Sequence, residues 1–96
     1  WVLKNEGRFA KVAEVTSDKS GIRMEVYTDL PGVQMYTANF LDNEPGKDGA
    51  SYAKRSAVCL ETQYFPDAVH HENFPSPVCR KGQKYDTRTA YHFLTK

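Results

Sequence analysis

Short strand-like stretches, separated by glycine and proline turns, constrain this 96-residue chain more than any other sequence feature. Residues 22–28 (IRMEVYT) alternate apolar and polar side chains, the period-two pattern of a half-buried strand. Residues 9–16, 33–40 and 85–94 are rich in β-branched, small apolar or aromatic residues, which favour strands. No stretch sustains a helical period. The pattern therefore predicts an all-β fold, either an antiparallel β-sandwich or a barrel-like sheet.

Polar and proline-containing segments separate these strands. Residues 41–51 form a polar loop with two glycines and one proline, and residues 81–83 are predicted to turn. Residues 65–78 contain three prolines and two adjacent histidines, so an irregular course is expected there. The length fits one domain or a piece of one.

Charge and apolar runs exclude several function classes. Thirteen basic and twelve acidic residues give a net charge of +1, so no basic excess is present for nucleic acid. The apolar runs are too short to span a membrane, and the first residues do not resemble a signal peptide. With only two cysteines, Cys59 and Cys79, we interpret both as reduced, partly buried thiols in a cytoplasmic protein, although a disulfide between them fits the count.

One candidate catalytic residue lies in the strand-like residues 57–63 (AVCLETQ). Alternation places Val58, Leu60 and Thr62 on one face and Cys59, Glu61 and Gln63 on the other. The first face is expected to enter the core. If the second is shielded from water, the pKa of the Glu61 carboxyl rises and the group becomes a useful base. The pattern alone favours the simpler interpretation of a solvent-facing glutamate.

Several motifs, in order, resemble the aldose 1-epimerase (galactose mutarotase) family. They are PGVQMYTANF at residues 31–40, LETQ at residues 60–63, FPDA at residues 65–68, NFPSP at residues 73–77, and a closing tyrosine- and threonine-rich segment at residues 82–93. The strand at residues 20–28 also matches, so the resemblance covers nearly the whole chain. Linked motifs in a fixed order are more specific than one short pattern.

The resemblance implies a fold, a reaction and two site residues. It implies that residues 1–96 are the C-terminal portion of a single β-sandwich domain. The implied activity interconverts the α and β anomers of hexoses such as galactose and glucose by acid–base ring opening, without a cofactor or a metal. In the family, the glutamate of LETQ is the general base and the glutamine of PGVQ lies at the sugar site. These roles fall on Glu61 and Gln34.

The resemblance also implies that part of the site lies elsewhere. The family's acid is a histidine from an earlier segment, and the opening residues Trp1, Val2 and Leu3 match the stretch just after a family aspartate. We therefore expect an isolated chain to be incomplete and inactive, with the rest of the enzyme or another chain as its partner. The alternatives are a non-catalytic carbohydrate-binding or regulatory relative, or an unrelated β-sandwich interaction domain, which does not explain the ordered motifs.

Other residues receive simpler interpretations. Adjacent residues of an extended segment point opposite ways, so His70 and His71 with Glu72 make a weak metal site at best and are expected to be exposed loop residues. His92 is expected to be a structural residue. Arg55 lies in a segment that departs from the family pattern and is expected to be a surface cation. The aromatic rings that could stack on a sugar, but are more often core or rim residues, are Tyr36, Tyr64 and Phe65.

Overall fold

The computed structural model describes residues 1–95 and consists almost entirely of antiparallel strands, which confirms the all-β prediction. The strands are β1 (Ala10–Thr16), β2 (Ile22–Thr28), β3 (Gly32–Tyr36), β4 (Glu44–Pro45), β5 (Ser51–Tyr52), β6 (Cys59–Gln63) and β7 (Thr89–Thr95). Short 3-10 turns occupy Lys47–Gly49 and Ala68–His70. Within residues 1–95, no helix has the length and apolar character needed to cross a membrane.

The largest sheet has three strands in the order β1–β2–β7. β1 and β2 form a hairpin whose turn is closed by a hydrogen bond from the Ser17 amide to the Ile22 carbonyl, with Gly21 at a φ of +71°. The positive φ suits glycine, which has no Cβ to clash. β7 pairs with the other edge of β2, so that the last strand lies beside one of the first.

A second sheet, the β3–β6 ribbon, packs against the three-stranded sheet. The buried centre consists of Val26 from β2, Val33 from β3 and Leu60 from β6. Leu60 therefore enters the core as the alternation predicted. Val58 does not, because it precedes the start of β6 and remains 40% exposed.

The N-terminal segment lies along the other edge of β3. Trp1 and Val33 exchange two hydrogen bonds, from the backbone nitrogen of Trp1 at 2.9 Å and from the amide of Val33 at 3.1 Å. The buried Asn5 side chain donates to the carbonyls of Thr28 and Leu30. β3 is thus held on both sides, which fixes the position of the residues it carries.

Some apolar side chains on the core side of these sheets are not covered. Met35 lies opposite the buried Leu60, and Tyr91 and Phe93 lie opposite Val26 and Met24, yet all three are exposed. Apolar patches of this kind mark contact with another segment or another chain.

Three boundaries differ from the sequence predictions. The strand expected over residues 33–40 ends at Tyr36, because Ala38 has a φ of +56° that a strand does not accommodate. The polar loop at residues 41–51 contains the small β4–β5 ribbon, in which the Tyr52 ring occupies the space of a Cβ at Gly46. The last strand begins at Thr89 rather than at residue 85.

A polar network covers the outer face of the three-stranded sheet around the nearly buried carboxylate of Glu25. This carboxylate accepts hydrogen bonds from the Tyr27 hydroxyl at 2.8 Å and the Lys11 ammonium at 3.3 Å. His92 Nδ1 lies 3.5 Å from one oxygen of Glu25, and Arg23 Nη2 lies 3.9 Å from the other. The contact with Glu25 supports the structural interpretation of His92. The Tyr27 and Lys11 hydrogen bonds lower the pKa of Glu25, and the one with Glu25 raises the pKa of Tyr27.

The lowered pKa of Glu25 predicts an acid-sensitive fold. The Glu25 carboxylate stabilises the fold above the ordinary glutamate pKa of about 4.3. This stabilisation is lost as the pH falls through the lower pKa that Glu25 has in the folded protein. We expect the free energy of unfolding, measured with urea, to fall less between pH 7 and pH 3 in Glu25→Gln than in the control Glu44→Gln. An equal fall in the free energy of unfolding of the two variants would contradict this stabilising role of Glu25.

Candidate active site

The structure brings the two predicted site residues together. Gln34 of β3 and Glu61 of β6, 27 residues apart in the chain, are direct partners in the antiparallel ribbon. Directly opposite residues point to the same face, with Cβ atoms about 4.5–5.5 Å apart. Both side chains are exposed, on the face away from the Val33–Leu60 core. This polar pair is the candidate active site.

Aromatic residues flank this polar pair at both ends. Towards the C-terminal end of β3, the Tyr36 hydroxyl accepts a hydrogen bond from the Phe40 amide at 3.0 Å, and the two rings stack with centroids 6.0 Å apart. Towards the other end, the Phe65 ring lies over Gly32, so close that a Cβ on Gly32 would be 3.1 Å from the ring. Sequence reasoning missed this contact between Gly32 and Phe65, which no spacing rule indicates.

The Glu61 carboxylate is not shielded from water within residues 1–95. The side chain is exposed, although its neighbours Cys59 and Gln63 on the same face are partly buried. The alternation therefore assigned the correct face to Glu61, and its exposure agrees with the solvent-facing glutamate that the pattern alone favoured. The catalytic role itself stays a prediction.

The loop histidines converge on one carboxylate. His70 Nδ1 and His71 Nε2 contact different oxygens of Asp67, the second at 3.3 Å. The prediction that their rings point opposite ways was wrong, because the turn Ala68–His70 replaces the assumed extended backbone. Both are exposed as expected. Within residues 1–95, no three His, Cys, Asp or Glu side chains are arranged to hold a metal ion.

Two further predictions concern exposed groups. Cys59 and Cys79 are both free thiols, and Cys59 is partly buried as expected, but Cys79 is exposed because it follows the proline-rich loop rather than a strand. Arg55 is an exposed cation whose Nε donates to the Asn39 side chain at 3.2 Å. This supports its interpretation as a surface residue.

Comparison with known proteins identifies the family. The family model described as aldose 1-epimerase matches residues 1–92. This chain belongs to the aldose 1-epimerase family. It is 51% identical over 82 residues to galactose mutarotase of Homo sapiens, covering 84% of this chain and 24% of that protein. It is 49% identical over 89 residues to galactose mutarotase of Bos taurus, covering 92% of this chain and 25% of that protein.

A bacterial relative extends the match over the full chain. Aldose 1-epimerase of Escherichia coli (strain K12) is 33% identical over 99 residues, which cover 100% of this chain and 29% of that protein. The chain thus spans about a quarter of the length of the aldose 1-epimerases it matches. Family membership confirms the resemblance drawn from the motifs. The division into domains and the site residues stay predictions.

Proposed function

We propose that the protein is an aldose 1-epimerase that interconverts the α and β anomers of hexoses such as galactose and glucose. In this proposal Glu61 is the general base and Gln34 binds the sugar. The observation that carries it is the direct cross-strand pairing of these two side chains on an open sheet face. The names of the relatives, galactose mutarotase and aldose 1-epimerase, support the same reaction and sugar class.

The chemistry of anomer exchange matches these two side chains. A carboxylate takes the proton of the anomeric hydroxyl while an acid protonates the ring oxygen, and the bond between the anomeric carbon and the ring oxygen breaks. The open aldehyde rotates about its neighbouring carbon–carbon bond, and the ring closes on the other face with the protons returned. A glutamine amide both donates and accepts hydrogen bonds, so Gln34 can hold a sugar hydroxyl in either direction.

We propose that the acid comes from outside this chain, from the rest of the enzyme or another chain. Two of the histidines, His70 and His71, are bonded to Asp67, and His92 lies beside Glu25 on a different sheet. Within residues 1–95, none of the three forms a hydrogen bond with Glu61 or Gln34. A base without an opposing acid supports only part of the reaction.

Polarimetry of the full-length protein tests the proposal. We expect the protein to accelerate the optical-rotation change of freshly dissolved α-galactose, measured against buffer and against an equal concentration of heat-denatured protein. Binding of galactose without acceleration would contradict it and would indicate a non-catalytic carbohydrate-binding relative instead.

A further inference from the structure

We infer that Phe65 is an aromatic wall of the sugar site, against which one C–H face of a hexopyranose packs. The inference rests on the proposed function, because it takes the Gln34–Glu61 face as the place where the sugar binds.

The Phe65 ring lies on the same face of the β3–β6 ribbon as Gln34. Gly32 and Gln34 lie two residues apart on β3 and therefore share a face. A Cβ on Gly32 would be 3.1 Å from two carbons of the Phe65 ring, so the ring lies directly on this face of the ribbon. Two strand residues span about 7 Å, close to the width of a hexopyranose. A sugar bound to Gln34 and Glu61 thus reaches the Phe65 ring.

The Phe65 ring is held in place by its own loop. Phe74 contacts Phe65 edge-to-face, with centroids 5.2 Å apart, and the His71 ring lies 4.9 Å from that of Phe74. Backbone hydrogen bonds close the loop, from the Ala68 amide to the Phe65 carbonyl at 3.2 Å and from the Phe74 amide to the His71 carbonyl at 3.0 Å. Phe65 is partly buried, so the ring is held in place while part of it stays accessible.

The groups on this face are chemically complementary to a hexopyranose. A hexopyranose presents hydroxyl groups around its edge and C–H groups on its faces. The amide and carboxylate of Gln34 and Glu61 suit the hydroxyls, and the negative face of an aromatic ring suits the weakly positive C–H hydrogens. Polar groups beside an apolar wall are the usual composition of a small-molecule site.

The other aromatic pair fits this role less well. The Tyr36 hydroxyl already accepts the Phe40 amide hydrogen bond, and the ring of Tyr36 stacks on that of Phe40. Phe40 itself is 90% exposed, so residues 1–95 do not hold it against the sheet. The Tyr36 ring is thus already stacked on another ring, whereas the Phe65 ring meets Phe74 edge-to-face.

The test compares Phe65→Leu with Phe65→Tyr in the full-length protein, and Val69→Ala, at an exposed position of the same loop, is the matched control. Leucine keeps an apolar contact with Gly32 but removes the ring, whereas tyrosine keeps the ring. We expect Phe65→Leu to raise KM for galactose about three- to tenfold, with kcat changed less than about twofold, because a wall contacts the sugar similarly in the ground and transition states. Phe65→Tyr and Val69→Ala are expected to keep the wild-type KM.

Calorimetric binding of 1-deoxygalactose, which has no anomeric hydroxyl and cannot react, provides the second readout. We expect Phe65→Leu to weaken this binding by the same factor as it raises KM. Unchanged KM and binding would overturn the aromatic wall, while turnover by the wild-type protein would still support the proposed function. An equal rise in KM and an equal weakening of binding in Phe65→Leu and Phe65→Tyr, accompanied by a lower Tm, would show a merely structural role. That result would also overturn the aromatic wall. A wild-type protein that binds 1-deoxygalactose but does not accelerate mutarotation would contradict the proposed function alone.

Discussion

Replacing Glu61 with glutamine is expected to lower kcat for the interconversion of α- and β-galactose by about a hundred- to ten-thousand-fold. Glutamine has the shape of glutamate and still hydrogen-bonds a hydroxyl, but its amide oxygen does not take a proton at neutral pH. Glu61 is exposed, and Gln34 beside it is neutral, so the substitution removes no buried charge pair. The free energy of unfolding is therefore expected to change by less than about 0.5 kcal/mol.

We test this expectation by measuring kcat and KM of the full-length Glu61→Gln variant by polarimetry. Urea unfolding of the same variant checks that it folds. The matched control is Glu44→Gln, which makes the same substitution at an exposed glutamate of the small β4–β5 ribbon and is expected to retain full activity. A near-normal rate in Glu61→Gln would disprove the assignment of the base, whatever the sugar-binding data show.

The 96-residue chain, prepared alone, is expected to give no acceleration of mutarotation above the uncatalysed rate. It spans about a quarter of its relatives, and within residues 1–95 no histidine is bonded to the polar pair. Glu61 is also exposed to water, so nothing within residues 1–95 shields its carboxylate from solvent. The uncovered apolar side chains Met35, Tyr91 and Phe93 also reduce the stability expected of the isolated chain.

The loss of mutarotation activity is measured by comparing this chain with the full-length protein at equal concentration in the same polarimeter. Circular dichroism of the isolated chain shows whether β-structure is present, so that inactivity of a folded chain can be distinguished from unfolding. Robust turnover by the 96 residues would show that the acid lies within them, and single substitutions at His70, His71 and His92 would then locate it.

The strands were predictable because their signals are local. The alternation in Ile22–Thr28 reproduces β2, and the alternation around Leu60 and Glu61 separates the core face from the polar face. Both follow from the two-residue period of a strand. The early end of β3 was not predictable, since the positive φ of Ala38 belongs to a residue type that seldom adopts it.

The site was predictable only in part because its geometry depends on contacts between distant residues. Resemblance to the family selected Gln34 and Glu61, but their pairing depends on the register of β3 against β6, which no local pattern specifies. The contact of Phe65 with Gly32 likewise depends on the course of a proline-rich loop. The convergence of His70 and His71 on Asp67 arises from a 3-10 turn where an extended segment was assumed.

The register of the β3–β6 ribbon determines which insertions and deletions this chain tolerates. A single-residue deletion within Gly32–Tyr36 or Cys59–Gln63 would turn either Gln34 or Glu61 towards the core and separate the pair. The connection at residues 37–58 is long and largely exposed, so it accommodates added or lost residues at little cost in loop entropy. Length differences between homologues of this protein are thus expected to accumulate in the connection, while both strands keep their lengths.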